Sequence, residues 1–222
     1  MSDNHHISQA LNTSVHEATA RAQGFCSTTT LNITEYEQLA AKGYAFCIRE
    51  INPEAASKTT DYSSALQHSE AVGIMKSPSF GGLGLALMPL YSPSKTEITA
   101  PNAGKEAAKK AIQLTMEIGL PVGVTVWLNM SSINDNNQNK TCEGFLKDWT
   151  EIITKQFTAG RYYGDTSPCD HLGNNGGRCD SNILQSIDCG TDLRPSGYVN
   201  IEMGDNSEAC KIRWAHHWPV NA

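Results

Sequence analysis

No apolar run in this 222-residue chain approaches the ~18–20 residues that a membrane-spanning helix needs, so no membrane span is expected. The first 23 residues, MSDNHHISQALNTSVHEATARAQ, are polar and lack the basic-then-apolar order of a secretory signal. They read as a mobile leader or a short exposed helix. Secretion would then require an export route without an ordinary signal, or a signal already removed. Basic charge is also scarce. Seventeen Lys and Arg against twenty-three Asp and Glu give a formal charge of −6. That argues against nucleic acid as the main partner, because phosphate binding needs a basic surface. The P-loop, the dinucleotide fingerprint and the G-x-S-x-G elbow are all missing. No cofactor is expected.

Close cysteine pairs are absent too. Of seven cysteines, Cys169, Cys179, Cys189 and Cys210 crowd the final third, separated by nine, nine and twenty residues. Structural zinc draws on pairs such as C-x2-C. Asp170, His171, Cys179 and Asp180 around GNNGG also lack the ligand order of a calcium loop. No metal is therefore assigned. Disulfides pinning a loop-rich C-terminal third are the preferred reading, buried thiols the other; disulfides would imply an oxidising destination. With 39% apolar and 18% charged residues and no break in composition, residues 24–222 read as one domain after the leader. Nothing in the chain sets an oligomeric state.

What is present is an alternation of helix and strand. Thr34, followed three residues later by Glu37, fits a capping box, and Gly43 fits the stop of that helix. Tyr44–Ile48 reads as a buried strand ending on Arg49 and Glu50. Residues 61–76 suggest a second helix, and Leu85–Tyr91 a second buried strand. The stretch Gly104–Ser132 holds a small-residue-rich helix ending at Gly119, then an apolar strand with a polar tip at Asn129 and Ser131. Residues 145–157 read as another amphipathic helix, and Ala159–Gly164 as another strand end. Residues 183–188, 197–203 and 210–218 suggest three later strands. Short links between alternating helices and strands predict a parallel sheet covered by helices. The expected fold is α/β, a (β/α) TIM-like barrel that is compact or incomplete beside the ~250 residues typical of that fold.

The matching pieces are Gly24-Phe25, the helix Tyr36–Gly43 before Arg49, and Met88-Pro89-Leu90-Tyr91. To these are added the pattern Gly104/Ala107/Ala108/Ala111/Gly119/Pro121, then Val126-Trp127-Leu128, Phe145-Leu146-x-x-Trp149 and Gly160-x-Tyr162-Tyr163-Gly164. In this order and spacing the chain resembles the glycoside-hydrolase-like TIM-barrel family, a former domain of unknown function related to family 25 lysozymes. The resemblance implies a barrel that acts on polysaccharide at the C-terminal ends of its strands. It also exposes departures. The lysozyme relatives carry an Asp after Gly-Phe where this chain has Cys26. They carry Asp-x-Glu where it has Asn129-Met130-Ser131. Glycoside hydrolysis uses two carboxyls flanking the scissile bond, and neither an amide nor a hydroxyl can replace the acid.

The carboxylates left at strand ends are Glu50, Asp165 and Asp188, and these are the candidate catalytic residues. Asp192 follows in the same loop, and Glu202 reads as outward-facing. Arg49, Tyr91, Trp127, Asn129, Ser131, Tyr163 and Trp214 are candidate substrate-binding residues, because sugar rings stack on aromatic faces and hydrogen-bond to polar tips. For each aromatic taken alone, core packing is the competing reading. Of His216 and His217, beside Trp218, at most one can face a site. The leading function is a lysozyme-like glycoside hydrolase taking a cell-wall polysaccharide or peptidoglycan fragment, with a non-standard carboxylate set. The other is a catalytically silent barrel that binds a glycan or a protein, as an exported effector would.

Overall fold

The computed structural model describes residues 10–18, 22–27, 30, 32–52, 65–76, 84–129, 139–163, 182–187, 197–200 and 212–216. Residues 23, 76, 95, 139–143, 162–163, 182–187 and 197–200 are described by backbone alone. The elements are β1 (Ser14–Glu17), β2 (Gln23–Ser27), α1 (Ile33–Ala41), β3 (Phe46–Glu50), α2 (His68–Lys76), β4 (Ala86–Tyr91) and α3 (Lys95–Thr99). They continue with α4 (Ala103–Ile118), β5 (Thr125–Asn129), α5 (Asn139–Ile153), β6 (Thr158–Tyr163), β7 (Asn182–Ile187), β8 (Gly197–Asn200) and β9 (Arg213–His216).

The helix starts have local causes. Asn32 accepts from the Glu35 N–H while the Glu35 carboxylate accepts from the Asn32 N–H, a capping box that opens α1. The pair expected two residues later, Thr34 and Glu37, is not the cap; Thr34 already lies inside the helix. Ser94 and Glu97 cap α3 in the same way. Gly119 ends α4 with φ 91°, a left-handed conformation that glycine adopts without a Cβ penalty. Of the helix expected over 61–76, residues 61–64 lie outside the described residues, 65–67 are not helical, and α2 starts at His68.

The strands form one mixed sheet in the order β1-β9-β4-β3-β2-β8-β7-β6-β5. From β2 to β7 each strand runs parallel to the next. The pairing of β4 with β5 (Leu90 with Trp127, Tyr91 with Leu128) curls these strands into a half-barrel. β8 lies antiparallel between β2 and β7, and β9 runs antiparallel to β4. The architecture is therefore mixed α/β rather than the uniform parallel repeat of a TIM barrel. Part of the stretch read as a leader is strand: β1 pairs antiparallel with β9, from Ser14–His216 to Glu17–Arg213.

Pleating sorts the side chains between two layers. Toward the helices point Phe25, whose ring meets Tyr36 and Tyr44, and Tyr91, whose ring lies 5.4 Å from Trp149. Toward the barrel interior point Phe46 and Trp127, each packed over a glycine. A Cβ on Gly24 would stand 2.4 Å from the Phe46 ring, and one on Gly160 would stand 2.4 Å from the Trp127 ring. The two bare backbones are what let these rings fill the interior. Outside, Gly104 lets α4 approach α5, since a Cβ there would meet the Phe145 carbonyl oxygen at 2.2 Å.

Candidate functional site

Glu50 ends β3, and by strand parity Phe46, Ile48 and Glu50 face the interior while Cys47 and Arg49 face the helices. Glu50 is only 4% exposed. Its Oε2 accepts from the Ser92 hydroxyl at 2.9 Å, and its Oε1 is buried without a hydrogen-bond partner. Ser92 follows β4 directly. Its hydroxyl also accepts from Asn129 Nδ2 at 3.0 Å, at the tip of β5. Asn52 fixes the Ser92 peptide on both sides, accepting from its N–H at 2.9 Å and donating to its carbonyl at 2.7 Å. Three neighbouring strand ends are thus tied into one polar cluster at the C-terminal end of the parallel strands.

The electrostatics follow from burial. Removal from water pushes the Glu50 carboxyl up to about 7, and the Ser92 hydrogen bond and the Arg49 charge only partly oppose it. A carboxyl poised near neutrality can give or take a proton. Arg49 itself has another task. Its Nε and Nη2 contact the two Glu70 oxygens at 2.8 and 3.1 Å, and Tyr36 donates to Glu70 from the other side. Its Nη1 reaches the carbonyls of Ser27 and Glu50 at 3.3 and 3.5 Å. Burial alone would lower its pKa, but the Glu70 hydrogen bonds and charge outweigh that and raise it. Arg49 therefore anchors β3 from the helix side, on the face away from Glu50.

Of the residues expected to form the site, the structure brings together Glu50 and Asn129, through Ser92. Tyr91 faces outward, donating to Glu97 at 2.7 Å. Trp127 is fully buried in the interior, with Nε1 3.2 Å from Met88 Sδ. Trp214 packs against Phe46 at 5.8 Å. Phe46 begins β3, about 13 Å of strand from Glu50, so Trp214 belongs to the opposite end of the interior. These aromatics fill layers rather than a groove wall, as strand parity dictates for Tyr91. His216 Nε2 sits 3.0 Å from the Gly84 carbonyl. Cys26, where the lysozyme relatives have an Asp, is buried on the interior face of β2. Ser131, Asp165, Asp188, Asp192, Glu202, His217 and Trp218 lie outside the described residues, and Tyr163 is described by backbone alone.

Sequence reasoning missed Ser92 and Asn52. The signal was available in parity: 50 and 52, like 90 and 92 or 127 and 129, share a strand face. Among the described residues no group of three or more His, Cys, Asp or Glu gathers as a metal site. Neither Cys26 nor Cys47 is in a disulfide, and the four cysteines of the final third fall outside the described residues. No described helix is long and apolar enough to cross a membrane.

A curled sheet of this kind, flanked by helices, has known counterparts. The family model for the Rv2525c-like, glycoside hydrolase-like domain matches residues 37–218. The chain belongs to that family. No curated protein matches it in sequence. Among solved structures, this family member is similar to an uncharacterized B. stearothermophilus protein, at 15% identity and TM-score 0.58, over 85% of this chain and 98% of that one. It is also similar to the Tat-secreted protein Rv2525c of Mycobacterium tuberculosis, at 15% identity and TM-score 0.52, over 82% and 94%. The spore cortex lytic enzyme SleM of Clostridium perfringens follows at 10% identity and TM-score 0.50, over 84% and 69%. At these identities the likeness extends to the fold.

Proposed function

We propose that this glycoside hydrolase-like chain is a lysozyme-like hydrolase of cell-wall or related polysaccharide, with Glu50 as its proton donor. The observation that carries this reading is the buried Glu50 carboxyl, raised to about 7, with one oxygen unpartnered at the strand mouth. The Glu50 proton goes to the glycosidic oxygen as the C–O bond breaks toward that oxygen. The second carboxylate comes from Asp165 or Asp188. They follow β6 and β7 in sequence, and those strands run parallel within the same sheet as β3. That carboxylate either attacks the anomeric carbon or activates the water that does. SleM, a spore cortex lytic enzyme, supports the substrate class, and the Tat-secreted Rv2525c supports export.

The test is release of soluble fragments from purified peptidoglycan by the whole chain. Glu50→Gln should lower the rate by about 10²–10⁴-fold, the usual weight of general acid catalysis. Release that is indifferent to Glu50 sinks the assignment. A second reading has its own support: Cys26, Asn129 and Ser131 stand where the lysozyme relatives hold acids, which suits a silent barrel that binds a glycan. Calorimetric binding of peptidoglycan fragments without turnover selects it.

A further inference from the structure

We propose that Asn129 and Ser92 form a one-way hydrogen-bond relay that confines the acidic proton of Glu50 to Oε1, making both of them positioning residues for the proton transfer. This rests on the reading of Glu50 as proton donor. A serine hydroxyl has a single proton. Asn129 Nδ2 already donates to Ser92 Oγ at 3.0 Å, so the Ser92 proton is left for Glu50 Oε2 at 2.9 Å. Asn52 holds the Ser92 backbone at both its N–H and its carbonyl, which fixes the direction of the Cα–Cβ bond that carries the hydroxyl. In a neutral carboxyl the carbonyl oxygen is the better acceptor. Oε2 therefore takes the carbonyl role, and the acidic proton resides on Oε1, the oxygen without a partner.

The relay also serves the product of the transfer. When the O–H bond at Oε1 breaks and a new one forms on the glycosidic oxygen, the negative charge stays on Glu50. The Ser92 hydrogen bond then becomes charge-assisted and strengthens. An acid at 129, as in the lysozyme relatives, would accept the Ser92 proton and reverse the chain; an amide donates. The departure at Asn129 is thus a device for Glu50 rather than simply the loss of an acid. In the sheet Glu50 pairs with Leu90 of β4, which pairs in turn with Trp127 of β5, while Cys26 of β2 pairs with Ile48, two residues before Glu50. Arg49 supplies the nearby positive charge from behind the strand.

The experiment is a ¹³C NMR titration of glutamate side-chain carboxyls in the whole chain, with Glu50 assigned by its absence in Glu50→Gln. The wild-type carboxyl should titrate at about 7. Ser92→Ala should move the midpoint up by about one pH unit, because it removes a donor to the charged form, and Ser92→Thr should restore it. Asn129→Asp should also move it up, by capturing the Ser92 proton and adding like charge. An unchanged or lowered midpoint in Ser92→Ala overturns the relay, since a lowered one means that Glu50 donates to Ser92. The two ideas fail separately: hydrolysis indifferent to Glu50→Gln refutes the proton donor and leaves the titration standing. A flat Ser92→Ala response refutes the relay even where Glu50→Gln is inactive.

Discussion

A single carboxyl carries most of the chemistry described above, and its burial has a consequence for stability as well as for reactivity. Glu50 holds its proton up to about 7 in the folded chain, whereas an unfolded glutamate releases it near ~4.3. A raised folded pKa means that its contribution to stability is fully present below the unfolded value and is lost as pH rises through about 7. The window spans up to about 4 kcal/mol. Glu50→Gln is neutral throughout, so its melting temperature should overtake that of the wild type as pH rises from about 5 to about 8. Thermal unfolding across that range checks it; parallel curves for the two proteins would contradict the buried, protonated Glu50. At this scale the sequence was only half legible. Position 50 could be picked out because it is an acid at a strand end. Arg49 was misplaced because adjacency in sequence means opposite faces in a strand. Ser92 was passed over because a serine after a strand has no signature without its partners.

At the scale of elements, the helix pair α4 and α5 shows why small residues recur where they do. Alanine exceeds glycine in helix propensity by about 1 kcal/mol, which by itself would favour Gly104→Ala. The new methyl would meet the Phe145 carbonyl oxygen at 2.2 Å and the Asp148 Cβ at 2.8 Å. Backbone must move to admit it, at about 1–3 kcal/mol, so destabilisation wins. Gly73 in α2 has nothing within 4 Å of its Cβ position. Gly73→Ala should therefore stabilise by up to about 1 kcal/mol. Chemical denaturation of the two variants gives opposite signs if helix contact, rather than propensity, selects Gly104. The small-residue stripe at 104, 107, 108 and 111 was readable as a packing face, and Gly119 as a stop. The start of α1 was read two residues late, because Thr34 and Glu37 carry the same pattern as Asn32 and Glu35. Only the geometry of the chain entering the helix separates the two.

For the whole molecule, the parallel core was legible from alternation and the way the chain ends join it was not. Four residues of β1 are too few to show a period, yet they pair with β9, whose Arg213 N–H donates to Thr125 Oγ1 on β5. Leu11 is buried, and its N–H donates to the Gly119 carbonyl at 3.1 Å. Removing residues 1–18 should therefore cost about 2–4 kcal/mol of apolar burial and hydrogen bonds, or roughly 4–16 °C in melting temperature. A truncated chain that melts with the full one would show the clasp to be idle. One edge of β4 is shared: Leu87 meets Ala215 of β9, while Leu90 and Tyr91 meet Trp127 and Leu128 of β5. Those two rungs close the wall beside Ser92 and Asn129. Spreading them would part the amide from the hydroxyl, so anything that wedged the mouth open would pull on the same joint that holds Asn129 against Ser92 and Ser92 against Glu50.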